Sequence, residues 1–158
     1  METINIIEED MRTSLKYKKL NERAQEPTNG SAAAAGYDLY AAMETNYEVI
    51  PAHSTVKVGT GIAIELPDFT FGAIFARSGL ATKFGLRPAN CTGVIDSDYR
   101  GEIIVALHND TDEDQIIELG ERIAQLIIMP YIPVKFKEVE ELSDTDRGEG
   151  GFGSTGTK

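Results

Sequence analysis

The stretch from Ala76 to Glu102 concentrates side chains that can handle an anion. Arg77-Ser78-Gly79 sets a guanidinium, a hydroxyl and a sterically free backbone amide side by side, a set suited to phosphate oxygens. Asp96-Ser97-Asp98-Tyr99 follows the apolar Gly93-Val94-Ile95, so its carboxylates fall where a strand or hairpin arm ends. A carboxylate beside an anion site can orient or deprotonate a water, or help hold Mg²⁺. Taken alone, the same acids also read as ordinary turn residues.

Other patterns look chemical and fail on context. Gly148-Glu149-Gly150-Gly151-Phe152-Gly153 fits G-x-G-x-x-G, and with Ser154-Thr155 it resembles a P-loop that lacks its lysine. Both motifs need a helix directly after the glycines, yet only five residues follow Gly153. The glycines can still nest an anion through successive free N–H groups, with Arg147 and Phe152 adding a charge and a ring; the plain alternative is a flexible tail. Residues 110–121 mimic an EF-hand loop, but Gln115 stands where the sharp turn needs Gly, and the flanks read as strands. An acidic hairpin loop is expected there. His53 and His108 have no partner at metal-ligand or triad spacing and read as surface or strand-end residues. Cys91 has no CxxC mate and reads as a small buried side chain.

The frame that must position these residues is one domain of 158 residues with a net charge of −11. A hydrophobic share of 41% permits a core without disulfides. The acidity argues against a general grip on nucleic-acid polymers or on anionic membrane. The acids cluster: four in residues 1–10, six in 108–121 and six in 138–149. Residues 69–107 instead hold four basic against three acidic side chains. No apolar run is long enough to span a membrane, and the acidic N-terminus lacks the basic and apolar regions of a secretory signal. A cytoplasmic location is expected, and the single cysteine suits it.

Periodicity predicts short strands. Ile62, Ile64 and Leu66 alternate onto one face, and runs at 16–20, 47–50, 55–58 and 134–139 are rich in β-branched or aromatic residues. Runs at 69–75, 102–107 and 122–129 are more continuously apolar, as in strands buried on both faces. Turn signals at roughly 8–12-residue intervals indicate an all-β sandwich, jelly roll or barrel. Ile7, Met11 and Leu15 recur every fourth residue and predict a helix near the start. Residues 78–84 predict a second short helix with Ser78 as N-cap. The chain divides into an N-terminal extension (1–14), a β domain (15–142) and a Gly-rich tail (143–158).

Five segments in order resemble the five motifs of the trimeric dUTP pyrophosphatases, the dUTPases. They are Ala35-Gly-Tyr-Asp-Leu39, Arg77-Ser-Gly-Leu-Ala81, Gly93-Val-Ile-Asp-Ser-Asp-Tyr-Arg-Gly101, Gly120-Glu-Arg-Ile-Ala-Gln125 and the run from Arg147 to Gly156. The likeness covers roughly residues 16–156. It implies an all-β jelly-roll or β-clip-like barrel with at most one short helix, assembled as a homotrimer whose sites lie between subunits. It also implies hydrolysis of dUTP to dUMP and pyrophosphate, a reaction that keeps uracil out of DNA and supplies the dTMP precursor.

Under that resemblance Asp96 activates the water that attacks the α-phosphorus, with Mg²⁺ bound mainly through substrate phosphates and waters. Asp38 acts near the metal's water shell. Tyr99 lies beneath the deoxyribose and excludes a 2′-hydroxyl, while a hairpin from Asn90 to Ile104, including Val94 and Ile95, reads uracil largely by backbone bonds. Arg77, Ser78 and Gly79 hold phosphate oxygens, joined by Gln125 from another subunit. The tail closes as a lid: Phe152 stacks on uracil, and Arg147, Gly153, Ser154 and Thr155 meet the phosphates. The rivals are a dCTP deaminase of the same fold and a nucleotide-binding regulatory relative. Tyr99 and the complete fifth motif favour the hydrolase over the deaminase.

Overall fold

The computed structural model describes residues 14–151, which form eleven strands and one short helix. The strands are β1 (Lys16–Lys19), β2 (Tyr37–Tyr40), β3 (Tyr47–Ile50), β4 (Thr55–Gly59), β5 (Ile62–Glu65) and β6 (Thr70–Phe75). After helix α1 (Ser78–Phe84) come β7 (Leu86–Pro88), β8 (Gly93–Ile95), β9 (Ile104–Asn109), β10 (Gln115–Glu118) and β11 (Arg122–Pro130). The expected helix around Ile7 and Met11 lies outside the described residues, as do Phe152, Gly153, Ser154 and Thr155.

Every ladder is antiparallel, and the strands group as β2-β11-β6-β8, β4-β9-β7, β1-β5 and β3-β10. Among the described residues these are four separate sheets, so the ladders do not close into the expected barrel. Their apolar faces meet in one core around Leu39, Ile50, Ile62, Ile103, Leu107 and Leu126. β6 and β11 lie at the centre of the largest sheet, and their mid-strand residues Ala73, Ile74, Ala124 and Leu126 are buried.

Several expectations meet corrections. The run at 102–107 is not buried on both faces: β9 starts at Ile104 and alternates, with Val105, Leu107 and Asn109 inward and Ile104 outward. Residues 134–139 form no strand, because no edge among the described residues pairs with them; the segment from Tyr131 to Leu142 is exposed throughout. Helix α1 spans the expected residues, but Arg77 holds the N-cap position and makes no side-chain cap bond. Ser78 is the first helical residue, and Gly85 ends the helix at φ 63°. Neither expected hairpin forms as a ladder. The acidic loop 110–114 joins β9 to β10 in different sheets, and the 90–104 segment likewise joins β8 to β9.

Asn109 explains how that acidic loop is held. It is fully buried, and its amide donates to the carbonyls of Ile50 (3.0 Å) and Glu113 (2.7 Å). Its Oδ1 accepts from the Thr111 N–H (2.9 Å) and hydroxyl (2.8 Å). Asn109→Ala leaves several of these buried groups unpaired and is expected to lower unfolding free energy by about 3 kcal/mol. Urea titration checks the loss, and an unchanged midpoint contradicts it.

Candidate active site

The chemistry-bearing residues fall into two groups at opposite ends of β6. At its C-terminal end, β11 runs between β2 and β6, so Gln125 lies level with Asp38 on one side and Phe75 on the other. Gln125 Nε2 donates to the Ala76 carbonyl at 2.8 Å and so fixes the backbone that leads into Arg77. The motif glycine Gly36 makes room for that side chain: a Cβ there would stand 2.6 Å from Gln125 Oε1. Asp38, largely buried, takes Arg77 Nε on one oxygen (2.8 Å) and Arg122 Nη1 on the other (3.2 Å). Two guanidiniums against one carboxylate leave this end with a net positive charge. Ser78 and Gly79 are exposed beside it, and nothing lies within 4 Å of where a Cβ at Gly79 would be. Backbone N–H, hydroxyl and guanidinium groups are therefore gathered where an anion can reach them.

At the other end, β8 pairs with β6 so that Gly93 faces Ile74 and Ile95 faces Gly72. The chain thus leaves β8 towards the start of β6, carrying Asp96 away from Arg77. Six residues of extended backbone separate the level of Asp96, near Phe71, from Arg77, roughly 20 Å at the strand rise. Asp96 lines a cleft of about 570 Å³ with Thr70, Phe71, Val94, Ser97, Asp98 and Tyr131. Val94, Tyr99 and Ile104 present large apolar surfaces to solvent on the same segment, while Ile95 is half-buried against the core. Asn90 is exposed in the turn before β8, where the Thr92 N–H donates to its carbonyl at 2.6 Å.

The structure therefore brings Asp38, Arg77, Ser78, Gly79 and Gln125 together. Gln125 thus joins Arg77 from the same subunit rather than from another as expected, because β11 pairs directly with β6. The structure gathers Asn90, Val94, Ile95, Asp96, Tyr99 and Ile104 on another segment. It does not join the two groups within one subunit. Arg147 stands apart from both, its Nε donating to the Gly150 carbonyl at 2.8 Å within its own turn. Arg122 is a site residue the sequence reading passed over. It lies inside the fourth motif, but its contact with Asp38 depends on the β2–β11 pairing, which no local pattern announces.

The decoys resolve into ordinary polar contacts. His53 Nε2 meets Asp112 at 2.8 Å, and His108 Nδ1 meets the Thr55 hydroxyl at 2.9 Å. Arg87 forks onto both oxygens of Asp110 at 2.7 and 2.9 Å and holds its carboxyl below the usual carboxylate range. Both histidines thus serve the acidic loop and its neighbouring strands. Cys91 is exposed rather than buried, because the turn between β7 and β8 carries it outward at φ 61°.

A metal fits this donor set only as a hydrated partner of the substrate. Among the described residues no three His, Cys, Asp or Glu side chains cluster closely enough to cage an ion. Asp38 keeps free lone pairs on oxygens already shared with arginines, which suits accepting bonds from metal-bound water.

Comparison with known proteins gives this geometry a lineage. A family model described as dUTPase matches residues 22–156. The deoxyuridine 5′-triphosphate nucleotidohydrolase of Paramecium bursaria Chlorella virus 1 is 49% identical over 144 residues, covering 91% of this chain and 99% of its own. The solved dUTPase of Staphylococcus bacteriophage 80alpha with dUPNHPP is similar at a TM-score of 0.85 and 30% identity, over 92% of this chain and 100% of its own. A dUTPase mutant from phage phi11 of S. aureus, described as coordinating a structural Mg(II) ion, matches at a TM-score of 0.74 and 25% identity, over 82% of this chain and 98% of its own. With the family model reaching from before β2 to beyond Arg147, and nearly one position in two shared with that viral relative, the chain belongs to the dUTPase family.

Proposed function

We propose that the protein hydrolyses dUTP to dUMP and pyrophosphate at sites that each draw on more than one subunit of a jelly-roll homotrimer. One observation carries the shared site. The register of β8 on β6 sets the Asp96 level about 20 Å from Arg77, which supports a second copy bringing an Arg77 end to each Asp96 end.

In the assembled site, Asn90, Val94, Ile95 and Ile104 frame uracil, and the ring of Tyr99 underlies the deoxyribose. Fixed amides and carbonyls discriminate a base edge well, since the wrong edge leaves buried polar groups unpaired. Arg77, Ser78, Gly79 and Gln125 of a neighbouring copy hold the phosphates. Asp96 orients a water and takes its proton during attack on the α-phosphorus. Mg²⁺, when bound with the triphosphate, neutralises its charge and that of the leaving pyrophosphate. Asp38 orders the water around that charge while keeping Arg77 aimed. Arg147, Phe152, Gly153, Ser154 and Thr155 close over the substrate and exclude bulk water.

The segment after β11 supports assembly. Tyr131, Ile132, Val134, Phe136, Val139 and Leu142 are exposed in one stretch, more apolar surface than an isolated subunit carries without a partner. Its Val134-Lys-Phe-Lys-Glu-Val139 pattern is that of a strand, and a second copy supplies the edge and apolar cover it lacks.

Mixing two inactive variants tests the shared site. Asp96→Asn and Arg77→Ala each silence the homotrimer, because every site loses one end. Unfolded together and refolded, they are expected to regain about a quarter of wild-type pyrophosphate release, since random mixing pairs two intact ends in that share of sites. No recovery in verified mixed trimers places both ends in one chain and overturns the proposal.

A further inference from the structure

Tyr99 is held from two sides. Its hydroxyl donates to the Glu102 carbonyl at 3.0 Å. Its ring lies over Gly101, where a Cβ would stand 2.5 Å from Cζ and 2.9 Å from Cε2. The exposed ring therefore takes its position from the backbone of residues 101 and 102 rather than from core packing.

Glu102 is itself anchored elsewhere in the fold. Its Oε1 accepts from the Gly61 N–H at 2.7 Å, in the turn between β4 and β5. The carboxylate lies so close over Gly59 that a Cβ there would meet Oε1 at 2.5 Å. The following residue binds the same turn. Ile103 is fully buried, its carbonyl accepts from the Thr60 hydroxyl at 2.7 Å, and its N–H donates to Ile62 at 2.8 Å. Thr60 is buried as well, so the anchor belongs to the core although the ring does not. The result is a short rigid path from the β4–β5 turn through the Glu102 side chain to the Glu102 carbonyl and the Tyr99 hydroxyl.

We propose that Glu102 is a positioning residue that sets the depth of the Tyr99 ring and thereby the rejection of a ribose 2′-hydroxyl. This rests on the reading of Tyr99 as the platform beneath the sugar. Excluding one oxygen atom is a matter of an ångström or less, so a ring free to retreat admits UTP where a pinned ring does not. Glu102 touches neither sugar nor phosphate in this scheme. It acts through Tyr99.

The readout is the ratio of kcat/KM for dUTP to that for UTP. Glu102→Ala is expected to lower this ratio by about ten- to a hundredfold, chiefly through faster UTP turnover. Glu102→Gln keeps an oxygen to accept from Gly61 and is expected to retain the ratio. Tyr99→Phe removes only the hydroxyl link and should move the ratio in the same direction as Glu102→Ala. The double variant should be no worse than the worse single, because both cut one path. Tyr99→Ala tests the underlying reading: an unchanged ratio there means that Tyr99 is not the platform. If Tyr99→Ala collapses the ratio while Glu102→Ala and Tyr99→Phe leave it intact, the platform stands and the role of Glu102 is overturned. Should Glu102→Ala fail to fold, Glu102→Asp decides: it keeps the charge but falls a methylene short of the Gly61 N–H, so the ratio is expected to drop, and an unchanged ratio overturns the role of Glu102.

Discussion

Asp96→Asn is expected to lower kcat for dUTP hydrolysis by about 10²- to 10⁴-fold while dUTP stays bound. The amide has the shape of the carboxylate and can still orient a water through its oxygen. It cannot take the proton that the water must lose as it attacks phosphorus. Asp96 is exposed on the cleft wall and bears no core contact, so the substitution leaves the fold unstrained. Binding of dUPNHPP by calorimetry should change little, because the proposed grip on base and phosphates lies in other side chains. Single-turnover pyrophosphate release then isolates the chemical step. Asp98→Asn is the internal control, an acid two residues away on the same cleft with no assigned proton to move. An undiminished rate in Asp96→Asn, or an equal loss in Asp98→Asn, removes Asp96 from its role.

Phe136→Asp is expected to break the proposed assembly and the activity together. Phe136 is 99% exposed in a single subunit, a state that wastes about 1.5–3 kcal/mol of available burial for each copy. A trimer that buries three such rings loses that gain three times over when each becomes a carboxylate, and it must also desolvate the new charges. The variant is expected to run as monomer in light scattering at micromolar concentration. Its dUTP turnover should fall by at least about a hundredfold, since dissociated subunits leave every site half-built. Lys137→Ser, on the alternate face of the same run, should leave both properties near wild type. A Phe136→Asp protein that stays trimeric with full turnover shows that residues 131–142 play no part in assembly.

Much of the fold was readable wherever the controlling interaction was local. The 62–66 alternation, the apolar run of β11 and the helix at 78–84 all follow from side-chain period and turn residues, and each appears where expected. The failures share a cause in long-range pairing. Val134–Val139 has the period of a strand, but a strand exists only against an edge, and none among the described residues takes it. The same holds for the two expected hairpins, whose arms the core sends to different sheets. The candidate site follows that division. The five motifs displayed Asp38, Arg77 and Gln125 as separate entries in a pattern, whereas the ion triad that adds Arg122 exists only because β11 runs beside β2. Tyr99 was legible as a ring and Glu102 was not, since its carboxylate contact with Gly61 spans 41 residues of sequence.

In the proposed trimer, the separation that β6 imposes between Asp96 and Arg77 also bears on inheritance. In a cell making equal amounts of intact and Asp96-deficient chains, each defective chain still lends a working Arg77 end to its neighbour. About half the sites survive, and such a lesion behaves as recessive. A lesion within β6, at the tightly packed Gly72 or the buried Ala73, is expected to displace both ends of the chain at once and spoil the sites on either flank. Only about a quarter then survive, so a fault in the strand with no chemistry of its own is the more dominant allele.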